Sequence, residues 1–292
     1  MVISQLTANG LIAGSIISLV AASFSLIYST NKFPHFSHGA VVAAGGYLFF
    51  TFVNLMGLSL VSSILLTLIF SGVIGLVIYF GLYRQLELQG ASMVILLIAS
   101  IALMILIENL LLLFYGADVK SMDLIPVGTG MNILGANITQ LQVGILIVSI
   151  LLFVGLFLFV RYSKLGKLMR AVADNPELAK ISGVNPVKLK AYSFVIGSFL
   201  AGVAGILIGL EQNLTPTMGT NLIIKGFTGA VIGGISSIPG AVLGSYLLGF
   251  AENFGIWYLP SGYKSAIAFT LLLIFLLFKP KGILGINKGA KK

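Results

Sequence analysis

The sequence predicts an all-α polytopic membrane protein with eight or nine transmembrane helices, including a short or broken helix near 222–240. Three observations carry that expectation. Of 292 residues, 58% are hydrophobic and 9% are charged, where a soluble domain carries about a quarter charged. Stretches 1–31, 33–83 and 124–160 contain no Asp, Glu, Lys or Arg, and each exceeds the ~20 residues a helix needs to cross ~30 Å of hydrocarbon. Their apolar runs are continuous, as in 95–107. A membrane β-barrel would instead alternate apolar and polar residues in segments of about ten.

Taken in order, the spans fall at 10–29, 38–54, 58–81, 91–115 and 140–161, then at 191–211, 222–235, 239–258 and 262–278. The first is read as a retained span, because the start lacks the basic region and small-residue cleavage site of a secretory signal. Seven of the 17 Lys and Arg residues lie in 161–190 and five in 279–292. Basic clusters beside spans mark the cytoplasmic side, so the net charge of +9 points to membrane topology and not to nucleic acid. Alternation then places the N-terminus outside and the C-terminus inside. Lys32 and Arg84 fall in cytoplasmic turns, and the connections 116–139 and 212–221 lie outside. The absence of cysteine excludes disulfides, thiol catalysis and cysteine-based metal sites.

The seventh span is too short. About 14 residues make roughly 21 Å of helix, and they run into Gly233-Gly234-Ile235-Ser236-Ser237-Ile238-Pro239-Gly240, which no straight helix tolerates well. Gly233, Gly234, Pro239 and Gly240 therefore mark a helix break. It either lines a water-filled path, as discontinuous helices do in transporters, or forms a tight hairpin between two ordinary spans. Glycines four apart, at Gly10/Gly14, Gly205/Gly209, Gly229/Gly233 and Gly240/Gly244, read as close helix packing.

Segment 161–189 is the one extended polar excursion on the cytoplasmic side. Asn175-Pro176-Glu177 starts a helix: Asn caps, Pro suits the first position and Glu favours the positive end. Gly183 terminates it. Two short helices are expected, at 164–173 and 176–182. Leu165, Leu168, Met169 and Val172 form an apolar stripe on the first, able to lie on lipid headgroups or to dock in a groove of another protein.

Glu108, Glu211, Lys225 and Glu252 lie in or near spans, where ionisable groups pair or face a polar cavity. Lys225 is expected to pair with Glu252 or Glu211, either as a structural ion pair or in contact with a substrate. His35 and His38 lack a carboxylate or third histidine nearby, so they are not a metal pair; His38 could instead line a gate. Asp118 and Asp123 could dock a soluble protein or be solvated loop charges. No nucleophile–base pair appears, and Ser163-Lys164-Leu165-Gly166-Lys167 lacks the glycines of a phosphate loop. No ATP hydrolysis is expected on this chain.

Three motifs occur in order. The first is Gly166-x-x-x-Arg170-Ala171-x-x-x-Asn175-x-x-x-Ala179-x-x-x-Gly183-Val184. The second joins Pro216-Thr217-Met218-Gly219, Lys225-Gly226-Phe227 and Gly233-Gly234-x-x-Ser237-Ile238-Pro239-Gly240-Ala241-x-x-Gly244. The third is Tyr28-(x)₇-Phe36-x-His38-Gly39. Together they resemble the branched-chain amino acid ABC importer permeases over essentially the whole chain. The resemblance implies one transmembrane permease domain, 1–292, in a bacterial inner membrane, containing a cytoplasmic coupling segment, 162–189. It implies that Gly166, Arg170, Ala171, Asn175, Ala179 and Gly183 belong to an ATPase-coupling element. The implied partners are two ABC ATPase subunits carrying ATP and Mg, a second homologous permease chain and an extracytoplasmic substrate-binding protein. His35, where the family has Asn, and the preceding Lys-Phe-Pro depart from its pattern, leaving open urea, short amides or sugars as substrates. An ion-coupled secondary transporter using Glu108 or Glu252 is the rival from another class.

Overall fold

In a computed structural model, residues 2–122 and 130–285 are described. The helices are α1 (Val2–Asn31), α2 (His38–Phe50), α3 (Leu60–Ile78), α4 (Arg84–Leu88), α5 (Met93–Tyr115) and α6 (Gln140–Tyr162). They continue as α7 (Lys164–Asp174), α8 (Pro176–Ile181), α9 (Pro186–Gln212), α10 (Met218–Gly233), α11 (Ile238–Gly255) and α12 (Lys264–Phe278). α2 runs on through a π-helical turn, Thr51–Leu55, and α3 reaches α4 through another, Tyr79–Tyr83.

Among the described residues, seven helices are long and apolar enough to cross a membrane, and α10 with α11, bent by 115°, supplies a broken span or re-entrant element. Neither half qualifies alone, so the separate spans expected at 222–235 and 239–258 are one bent pair. α10 also begins four residues before the sequence reading. The connection between α5 and α6 holds a two-stranded hairpin, β1 (Met131–Ile133) and β2 (Ala136–Ile138), which the sequence expectation does not include. Its turn residues, Leu134 and Gly135, have positive φ, but Leu-Gly lacks the Asn-Gly or Asp-Gly signal of such turns.

The chain divides into two compact units, 1–25 with 127–153 and 224–292, and 26–126 with 154–223. In the first, the hairpin packs on α1 through Ala8, Ile12, Ala136 and Ile138. Ile17, Ile232, Leu248 and Ala268 bring α1, α10, α11 and α12 together. In the second, α9 packs on α2 and α3 along a seam of small residues. A Cβ on Gly45 would stand 2.7 Å from the Gly202 Cα. Between helices solvated by lipid, such close backbone approach supplies the dispersion contact that holds them.

Candidate functional site

The segment of short helices between α6 and α9 is built by its own motif residues. Ser163 caps α7 by accepting from the Gly166 amide at 2.9 Å. Gly166 has no room for a side chain, since a Cβ would meet the Val160 Cα at 2.6 Å. Arg170 Nη2 donates to the Arg161 carbonyl at 3.1 Å, fastening α7 to the end of α6. The Asn175 side chain accepts from Glu177 and Leu178 amides, both at 3.0 Å, with Pro176 at the first position of α8. Gly183, at φ +81, closes α8. Its amide donates to the Lys180 carbonyl and that of Val184 to the Ala179 carbonyl, the paired bonds of a Schellman motif.

The apolar stripe of α7 is covered by this chain at two of its four positions, while Leu168 stays exposed. Met169 and Val172 are buried at 1% exposure, and Leu165 is half-buried. They face into the protein, and α7 itself packs on α8 and α9. The exposed apolar groups are Leu168, Ala171, Leu178 and Ile181, the last 84% exposed. Ala179 is buried, whereas Arg170 is exposed. Asn175→Ala is expected to destabilise α8 by about 1 kcal/mol, read as faster hydrogen exchange at the Glu177 and Leu178 amides; unchanged exchange would refute the capping role.

Immediately after this segment, the first turns of α9 engage a buried polar and aromatic cluster. Lys190 Nζ lies 2.6 Å from Glu87 Oε1. Phe194 packs on Tyr79, Tyr83 and His35 at ring separations of 5.3, 5.4 and 4.8 Å. The π-helical turn brings Tyr79 and Tyr83 onto one side, the use such insertions often have at functional sites. His35 Nδ1 shares a 2.8 Å hydrogen bond with the Tyr83 hydroxyl. Burial, and secondarily His38, holds the His35 imidazole well below its ordinary range, so the ring is neutral. His38 is fully buried, with its ring 5.9 Å from that of His35. Sequence reasoning missed the Lys190–Glu87 and His35–Tyr83 pairs. Their members lie 103 and 48 residues apart, so no local pattern joins them.

On the two arms of the broken element, Lys225 Nζ on α10 meets Glu252 Oε2 on α11 at 2.8 Å. Glu211 stands in the last turn of α9, in the other unit. Gly234 takes φ +117 and the Ser237 side chain caps α11 by accepting from the Gly240 amide at 3.2 Å, with Pro239 in the first turn. The carbonyls left by the break have donors. Ile283 and Leu284 amides reach Ile232 and Gly233 carbonyls at 2.9 and 2.8 Å, and Ser25 Oγ reaches that of Ile235 at 2.9 Å. Irregular backbone at membrane depth requires such protein-supplied bonds.

Glu108, on α5, accepts from the Thr220 hydroxyl on α10. Asp118 lies 4.0 Å from Lys120 and its side chain is 91% exposed, a weak solvated pair. Asp123 is outside the described residues. No group of three or more His, Cys, Asp or Glu that could hold a metal is present among the described residues.

Comparison with known proteins places this architecture. The family described as branched-chain amino acid transport system / permease component matches residues 6–276. The high-affinity branched-chain amino acid transport system permease protein BraD of Pseudomonas aeruginosa is 36% identical, over 96% of this chain and 95% of its own length. The corresponding protein LivH of Salmonella typhimurium is 35% identical, over 95% and 94%. Among solved structures, PsaBC from Streptococcus pneumoniae in complex with Fab shares the fold at TM-score 0.50 and 17% identity, covering 94% of this chain and 91% of that one.

Proposed function

Because the chain belongs to the family of branched-chain amino acid transport system permease components, we propose that it carries branched-chain amino acids across the bacterial inner membrane as the membrane-spanning subunit of an ABC importer. The observation that carries this is the family match over residues 6–276, together with an all-helical, multi-pass architecture. The chain is a transport subunit and not an enzyme. Energy comes from ATPase partners, and a binding protein delivers substrate.

In the finer reading, two ATPase subunits hold ATP and Mg, and a second homologous permease chain completes the translocation path. The N-terminus lies outside and the C-terminus inside, as the basic clusters favour. The ATPase docks on the surface offered by α7 and α8, where Ala171, Leu178 and Ile181 stand exposed beside Arg170. A short helix with exposed apolar groups suits a groove on a partner. The motif glycines, Asn175 and Ala179 shape this element from within. ATP-driven closure displaces α7 and α8, and α9 carries the displacement through the Lys190–Glu87 pair and Phe194 to α4 and the π-helical turn. Alternating access follows as the attached spans rock.

The test is co-purification. Tagged wild-type complex in mild detergent is expected to retain ATPase subunits, and Leu178→Glu/Ile181→Glu to lose at least nine-tenths of them while remaining monodisperse. Retention by the variant would reject the docking surface. No ATPase with wild type in several mild detergents would reject the importer reading in favour of an ion-coupled transporter.

A further inference from the structure

Glu108 sits seven residues before the end of α5 at Tyr115, about 10 Å along the helix axis and therefore within the hydrocarbon depth. α5 presents a mostly exposed, apolar surface. Its carboxylate is half-buried and receives the Thr220 hydroxyl, with the Met104 sulfur 3.6 Å from the same hydroxyl. Among the described residues no cation forms an ion pair with it. One hydroxyl leaves most of a carboxylate's acceptor positions unused, and an ionisable group at this depth is costly unless a partner arrives. Glu108 differs in this from Glu252, which has Lys225, and from Glu87, which has Lys190.

Its surroundings define the missing partner. Ile105 and Leu112, three residues before and four after, lie on the same helix face and are 52% and 38% exposed. Calcium or magnesium needs six or more oxygen ligands, and among the described residues no cluster of acidic or histidine side chains that could hold a metal accompanies Glu108. A neutral sugar would bring hydroxyls to an apolar surface and no charge to the carboxylate. A primary ammonium beside a branched aliphatic group satisfies both features.

We propose that Glu108 receives the ammonium group of the transported amino acid, with Thr220 orienting the carboxylate and Ile105 and Leu112 receiving the aliphatic side chain. The proposal rests on the amino acid reading above and names a contact in its path.

The complete complex in proteoliposomes, preloaded with leucine or with N-acetylleucine, in which the amine is an uncharged amide, tests this directly once release from protein-free liposomes is subtracted. Efflux without the binding protein removes that protein's own selectivity. Wild type is expected to release leucine at least tenfold faster than the analogue, Glu108→Gln to lose that preference, and Glu108→Asp to recover part of it. Glu108→Gln that keeps the wild-type preference would overturn the proposal. Loss of the second permease chain from purified Glu108→Gln complex would also overturn it, assigning Glu108 to a subunit contact. Wild type that moves no leucine under ATP-driven uptake with the binding protein would overturn the amino acid reading and this contact together.

Discussion

Lys225→Met is expected to destabilise the protein by about 3–5 kcal/mol, the cost of leaving a buried charge without its partner. Glu252 is 2% exposed and its Oε2 lies 2.8 Å from Lys225 Nζ. Its other oxygen, Oε1, has no hydrogen-bond partner among the described residues. No second donor is therefore in place to take over. The cation also joins α10 to α11 across the break, so losing it loosens the bent pair. Replacing both members by apolar residues of similar length, Lys225→Met/Glu252→Leu, removes the desolvation cost together with the attraction. The double variant is expected to recover most of the lost stability, because a buried pair exchanged for well-packed apolar groups is often neutral or stabilising. Thermal melting of the four proteins in one detergent measures the cycle. A coupling of 2 kcal/mol or more, at the upper end for contacting residues, is expected. Additive losses would show that the two residues act separately. Transport by the double variant, absent from both single variants, would assign the pair a structural role; transport lost in all three would place it in the path.

Gly244→Leu is expected to abolish folded protein. A Cβ at Gly244 would lie 2.5 Å from the Gly233 nitrogen and 3.0 Å from its Cα, and would also meet the Gly229 carbonyl oxygen. All three are backbone atoms, so no side chain can rotate away. Overpacking a well-fitted core costs about 1–3 kcal/mol and more where nothing yields; here the crossing of α10 on α11 would have to open. Gly155 in α6 is the control, because nothing stands within 4 Å of its Cβ position. Gly155→Leu is expected to leave stability unchanged or raise it by up to about 1 kcal/mol, the helix preference for leucine over glycine. Monodisperse yield from membranes separates the two. Equal yields would mean that α10 and α11 do not meet at Gly244.

The segment of α7 and α8 shows how legibility depends on range. Asn175-Pro176-Glu177 and Gly183 predicted α8, and the structure places its start and stop there, because caps and terminators act within four residues. The stripe of α7 was equally legible as amphipathic, but its occupant was not. Periodicity specifies which face is apolar and says nothing of what covers it; Met169 and Val172 turned out to serve this chain's own packing. The same holds for the helix break. Its glycines and Pro239 announced an interruption, whereas the amides of Ile283 and Leu284 that satisfy its carbonyls come from beyond α12.

By itself, the sequence determined the helical membrane class, the broken element, the pair of short helices and the family. Each follows from composition, from spacing along one helix or from motifs read in order. Tertiary structure decided that Lys225 joins Glu252, that α9 meets the π-helical turn through Lys190 and Phe194, and that Glu108 lies under Thr220. Thr220 and Glu108 are 112 residues apart. In an apolar medium such polar partners are chosen by which helices pack together, and that packing is a sum of many small dispersion contacts that no single stretch of the chain records.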